Sequence, residues 1–221
     1  EIGVRLVGSE MCIRDRIMID ENLFPLLKAQ VDGKELIIGP KKIKENSRNG
    51  NSYNLQPTKF KVITNSREIK ELNVVSSGDF IIASPINIGK LEINMAGSGN
   101  ILLEKKVEGN KLEINLASSG SVVASNIDLA GIECSLAGSG YIQIAGKADR
   151  AEYNLAASGN IKAYECVTGK TECNIAGSGN IQTHTRNQLE ANIVGSGNVY
   201  YKGNPTTSKS IIGSGKLKSA N

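Results

Sequence analysis

LEINMAGSGN, residues 91–100, returns with small changes as LEINLASSGS at 112–121, IECSLAGSGY at 132–141, TECNIAGSGN at 171–180 and LEANIVGSGN at 189–198. Aligned on the glycine of each Ser-Gly pair, the series is Gly78, Gly99, Gly120, Gly140, Gly159, Gly179, Gly197 and Gly215, with steps of 21, 21, 20, 19, 20, 18 and 18 residues. A period of this length over most of a chain marks a repeat architecture, in which each unit buries its apolar side against its neighbours.

Positions within the unit alternate. Four residues before the glycine stand Val74, Met95, Leu116, Leu136, Leu155, Ile175, Ile193 and Ile211. Six before stand Leu72, Ile93, Ile114, Cys134, Tyr153, Cys173, Ala191 and, last, Lys209. Two after stand Phe80, Ile101, Val122, Ile142, Ile161, Ile181, Val199 and Leu217. Apolar residues at every second place, with polar ones between, are the signature of strands with one buried face. No helical period fits this region. Aromatic residues are 4% of the chain and Trp is absent, so the interior is built from aliphatic side chains.

The corner is two small residues, then Ser-Gly, often followed by Asn or Asp. Glycine and asparagine tolerate positive φ, which predicts a sharp bend there, and small residues let successive corners stack at strand spacing, about 4.8 Å. The outward positions form columns as well. Five before the glycine come Asn94, Asn115, Asn154, Asn174 and Asn192, with Ser135 in the middle; seven before come Glu92, Glu113, Glu133, Glu152 and Glu172. Lys90, Lys111, Arg150 and Lys170 lie two residues further out on the same face and offset the repulsion of the carboxylates. These Glu and Asn columns are the candidate binding face.

A propeller blade needs twice this period, a leucine-rich repeat needs LxxLxLxxN spacing, and a left-handed hexapeptide helix needs a six-residue rhythm; none fits. The prediction is an all-β chain, a right-handed single-stranded parallel β-helix with about eight turns of 18–21 residues and an amino-terminal cap. Cys134 and Cys173 then share an inward column two turns apart, about 10 Å, too far for the roughly 7 Å Cα limit of a disulfide. With no CxxC spacing, the cysteines read as buried free thiols.

Three segments follow: 1–16, 17–59 and 60–221. VGSEMCIRDR at 7–16 resembles translated sequencing adapter, so residues 1–16 read as non-native, and any export signal ahead of them is missing. Residues 17–59 read as a cap with a short helix or turn at Asn22–Leu27, a hairpin at Asp32-Gly33, a strand at Leu36–Ile38 and a polar loop at 40–58. The solenoid occupies 60–221, and Thr207 and Lys209 turn its last inward column polar.

With the ENLFPLL segment, the strand KELIIG and the serial AGSGN corners in hand, residues 17–221 resemble the GIN domain, the adhesin-head family of Bacteroidetes-type exported proteins. The resemblance implies a right-handed β-helix and an exported, cell-envelope location, and it brings no catalytic residues.

Net charge is only +4 with cations and anions interspersed, which argues against a nucleic-acid partner. No run of about 18 apolar residues indicates a membrane-spanning helix. Cofactor motifs are lacking. Ladder carboxylates on one flat face cannot surround a calcium ion, and His184, in THTRNQ, reads as solvent-facing. A polysaccharide lyase or hydrolase needs distinct acid and base groups in a cleft built by long loops, whereas these turns differ by at most three residues. Two readings stay open: a surface module that binds a glycan or another cell-surface ligand, for which Tyr141, Tyr164, Tyr200 and Tyr201 are the candidate aromatic platforms, and a spacer rod.

Overall fold

In the computed structural model the described residues are 3–7, 15–32, 35–41, 55, 57–75 and 77–220. They form a parallel β-solenoid of about eight turns, preceded by antiparallel strands. In the middle turns the chain contributes to three ladders. The first face carries β6 (Glu71–Val75), β8 (Ile86–Met95), β10 (Val107–Leu116) and the carboxyl ends of β11 (Ser121–Leu136), β12 (Tyr141–Leu155) and β13 (Asn160–Gly177). It continues into β14 (Asn180–Gly195) and β16 (Thr206–Gly213). The second face carries β5 (Phe60–Thr64), β7 (Asp79–Ile82), β9 (Asn100–Leu103), the amino ends of β11 to β14, β15 (Asn198–Lys202) and β17 (Lys216–Ser219). A short third ladder joins Val107, Ile127 and Gly146.

Register follows the sequence columns. Glu92 pairs with Glu113, Glu113 with Glu133, and the series continues through Glu152 and Glu172 to Glu190. A slip of one residue would turn every aliphatic side chain outward, so burial fixes this register. The inward columns are dry: Leu72, Ile93, Ile114, Cys134, Tyr153, Cys173 and Ala191 are fully buried. At the carboxyl end Thr207 and Lys209 are exposed, and Ile211 and Leu217 are only partly covered.

The corner glycines are required by stacking. Left-handed φ values occur at Gly109, Gly146, Gly177, Gly195, Gly203 and Gly213, and at none of the Ser-Gly glycines. The expectation that those bends need positive φ is therefore corrected. At each, from Gly99 onward, a Cβ would collide with the carbonyl oxygen of the corner glycine one turn below; at Gly159 it would lie 2.5 Å from the Gly140 oxygen. That oxygen is itself engaged, since Asn160 N donates to Gly140 O at 3.1 Å. The backbone ladder thus runs through the corner, and only a residue without a side chain leaves room for it.

The amino end is closed by strands. β1 (Gly3–Val7) pairs antiparallel with β6 and with β4 (Glu35–Pro40), which forms a hairpin with β3 (Leu27–Asp32). β2 (Arg16–Ile19) pairs antiparallel with β5. The first strands of both long ladders are thereby paired, and the open edge passes to the short strands β2 and β3. A 3-10 turn, Phe24–Leu26, precedes β3. Cys12, most of the 7–16 stretch, Gly33 and most of the 40–58 loop lie outside the described residues; Lys41 is described, and its Nζ donates to Pro25 O at 2.7 Å.

Candidate functional site

The first face presents basic, acidic and amide columns side by side. Each asparagine serves two neighbours: Asn94 Nδ2 donates to Asn73 Oδ1 of the turn below and to Glu92 Oε1 two residues back, both at 3.0 Å. Asn174 repeats the pattern with Asn154 and Glu172, and Asn192 with Asn174 and Glu190. Asn115 donates to Asn94 at 2.9 Å. The chain of amides breaks at Ser135, above which Asn154 donates to Glu152. Both amide hydrogens of most ladder asparagines are thus engaged inside the protein.

The charges behave differently along the rod. In the amino-terminal turns they pair with one another: Lys90 Nζ lies 3.2 Å from Glu92 and 3.0 Å from Glu113, and Lys111 Nζ lies 2.7 Å from Glu133. The Asn94 amide, then the Lys90 ammonium, holds the Glu92 carboxyl below its ordinary range; for Glu113 the Lys90 ammonium leads. Lys111 is correspondingly raised, chiefly by Glu133. Further along, Gly131 stands where the basic column should continue, and among the described residues Arg150 and Lys170 make no ion pair. The missing side chain opens a groove of about 480 Å³ bordered by Lys111, Glu133, Arg150, Glu152, Lys170 and Glu172.

Beside the amide column, on the corner, a second shallow groove of about 350 Å³ runs over Leu136, Leu155 and Ile175 and the small residues Ala137, Ala156 and Ala176, ending at Val194, which is 54% exposed. The sequence offered a signal for it, the small residue after each inward Leu or Ile, but one read only as corner chemistry.

The second face carries a further amide ladder. Asn100 donates to Asp79, Ser121 Oγ to Asn100, Asn180 to Asn160 and Asn198 to Asn180. Tyr141 takes the place of an amide between Ser121 and Asn160. Three of the four candidate tyrosines stand here under lysines: Lys162 Nζ is 4.7 Å from the Tyr141 ring centroid, Lys202 Nζ 4.8 Å from Tyr164 and Lys218 Nζ 5.6 Å from Tyr200. Tyr201 packs against the core instead. His184 is half-buried, beside Lys202 in the ladder.

The buried thiols are chemically quiet. Cys134, Cys166 and Cys173 are free, and burial pushes each thiol up, Cys166 to about 11. Tyr153 lies between Cys134 and Cys173 in register, which keeps them unlinked as the spacing predicts. Among the described residues, no group of three His, Cys, Asp or Glu side chains is arranged to hold a metal ion.

Fold and surface together define a β-solenoid module with long polar faces, closed by strands at its amino end. The family model described as "Putative auto-transporter adhesin, head GIN domain" matches residues 14–108 and again 98–205, and the chain belongs to that family. A solved structure from Parabacteroides distasonis, described as a "putative lipid binding protein", is 51% identical with a TM-score of 0.86, covering 94% of this chain and 84% of its own. A "putative adhesin" from Parabacteroides merdae is 32% identical with a TM-score of 0.79, covering 94% and 83%. Another "putative adhesin" from Parabacteroides distasonis is 29% identical with a TM-score of 0.82, covering 93% and 83%. Among proteins of curated function none matches the chain. No helix among the described residues is long and apolar enough to cross a membrane.

Proposed function

We propose that the domain is a non-catalytic module exported to the cell surface, where the first face binds a glycan or another surface-borne ligand. The observation that carries this reading is the groove above Gly131, where Arg150 and Lys170 stand unpaired beside Glu152 and Glu172 on a rigid sheet. Charged groups already committed to each other have little to give a ligand, and among the described residues these two cations make no ion pair. Glu152, Glu172 and Glu190 each accept from the asparagine two residues on, so no carboxylate is set apart as an acid or a base. Membership of the adhesin-head family supports the cell-surface setting.

The test is retention on glycan and cell-surface panels. Arg150→Ala with Lys170→Ala should lower retention at least tenfold, while Lys90→Ala, in the internally paired turns, leaves it nearly unchanged. Absence of retention on every surface would leave the spacer rod standing. A second reading, an acyl chain lying in the corner groove over Leu136, Leu155 and Ile175, is favoured by that groove's apolar lining and by the lipid-binding description of the 51%-identical relative. Displacement of a fluorescent fatty acid, abolished by Ala156→Glu, would support it.

A further inference from the structure

We propose that the second face of the carboxyl-terminal turns is a separate site for an anionic polysaccharide, with tyrosines for the sugar rings and lysines for the carboxylates. On this face, from Tyr141 onward, the strands carry Lys162, Lys202, Lys216 and Lys218 against a single acid, Glu165, which lies 3.6 Å from Lys202. The first face of the same turns is mixed, with Glu152, Glu172 and Glu190 beside Arg150, Lys170 and Lys209, so the excess of cations belongs to the second face. Tyr141 and Tyr200, far apart in sequence, are brought onto one side of the rod by the register of β12 to β15, and Tyr164, in the irregularity after Ala163, joins them beneath Lys202.

The amides differ from those of the first face in a way that matters for binding. Asn180 and Asn198 each donate one hydrogen to the asparagine below. Two residues on from them stand Gln182 and Tyr200, not carboxylates, and among the described residues neither second hydrogen has a protein partner. Outward donors, aromatic rings and cations therefore coincide, which is the set that a polymer of uronic acids meets: hydroxyls for the amides, C–H faces for the rings, carboxylates for the ammonium groups. Lysines now resting on the tyrosine rings are no obstacle. An exposed cation–π contact is weak, and an ammonium drawn to a ligand carboxylate frees the ring beneath it. Strands repeat about every 4.8 Å along the axis, close to the rise of a sugar unit in an extended chain.

The experiment is titration of the purified protein with polygalacturonate, using dextran as the neutral polymer. Binding should be seen with the first and not the second, and should weaken as salt rises. Lys202→Ala with Lys218→Ala should reduce affinity at least tenfold. Tyr164→Ala with Tyr200→Ala should reduce it about as much, and the corresponding phenylalanine variants should restore it. All these positions are surface-exposed or half-exposed, so unchanged thermal unfolding shows that the variants remain folded. Full affinity in the tyrosine-to-alanine variant would overturn the proposal, because binding would then be mere attraction between opposite charges. Equal or tighter binding of single-stranded DNA or of anionic vesicles would overturn it as well. Arg150→Ala with Lys170→Ala, on the groove of the first face, should leave polygalacturonate binding intact, which separates failure here from failure of the groove reading; loss of that binding in this variant would overturn the proposal.

Discussion

The turns before Gly120 and the turns after it share one backbone plan and fill it differently. In the earlier turns the inward columns are Leu72, Ile93 and Ile114, Leu91 and Leu112, and Ile82 and Leu103. In the later turns the same columns hold Cys134, Tyr153 and Cys173, then Ala151 and Thr171, and then Ala163 and Thr183. One tyrosine occupies the volume that small neighbours give up. Polar atoms enter with the small residues: Thr171 Oγ1 lies 2.6 Å from Thr168 Oγ1 and 2.7 Å from Thr185 Oγ1, and Thr168 Oγ1 donates to His184 O at 3.0 Å. Outside, the earlier turns pair their charges and the later turns leave Arg150 and Lys170 open. A parallel ladder constrains the volume and dryness of each layer as a whole, and single positions vary inside that limit.

Tyr153 is where the contrast can be broken most sharply. Tyr153→Ala should cost about 3–5 kcal/mol in urea unfolding, because the alanines and cysteines around it cannot collapse into the space. Tyr153→Phe should lie within about 1 kcal/mol of the parent, since the hydroxyl has no hydrogen-bond partner of good geometry and only the weakly accepting Cys166 thiol beside it. A large loss in the phenylalanine variant would mean that the hydroxyl is bonded.

Corner packing should not distinguish the two regions. Gly120→Ala and Gly179→Ala should each cost about 1–3 kcal/mol by overpacking against a carbonyl that cannot retreat. Gly89→Ala, where an added Cβ meets nothing within 4 Å, should be neutral or stabilising by up to about 1 kcal/mol. If Gly179→Ala were harmless while Gly120→Ala was not, the later turns would be the looser ones.

Thr171→Val keeps the shape and removes the two short contacts to Thr168 and Thr185, whose hydroxyls keep His184 O and longer contacts of 3.3–3.4 Å, for an expected loss of about 1 kcal/mol. Replacing Thr168, Thr171 and Thr185 together by valine should recover part of it, as measured by thermal unfolding.

The smallest effect is electrostatic and belongs to the earlier turns. Glu92 and Glu113 have carboxyls lowered from the ordinary 4.5. Their contribution is fully present above that value and is lost as pH falls through the lowered ones. Glu113→Gln should therefore destabilise by less than about 1 kcal/mol at pH 7, and the gap from the parent should shrink at pH 3.

Most of the solenoid was legible, because period-two burial and a recurring Ser-Gly leave few ways to stack eight units. The Glu and Asn columns fell in the predicted register for the same reason. The glycine argument was half legible: sequence indicates that a side chain is excluded, but only the stacked backbone shows that a carbonyl oxygen one turn below excludes it. Strand β1 lies inside the segment 1–16, which the adapter-like VGSEMCIRDR makes read as non-native, and β2 is a short antiparallel cap whose RIMI carries no repeat, so neither was legible.

Sequence alone determined which residues share a column and which side of the sheet each column takes, because alternation and period are local properties that burial enforces. Tertiary structure decided what those columns do to each other. It engaged the first-face amides with neighbouring carboxylates and left Arg150 and Lys170 without an ion pair among the described residues. It also drew Tyr141, Tyr164 and Tyr200 onto one side, through contacts between turns that no single repeat contains.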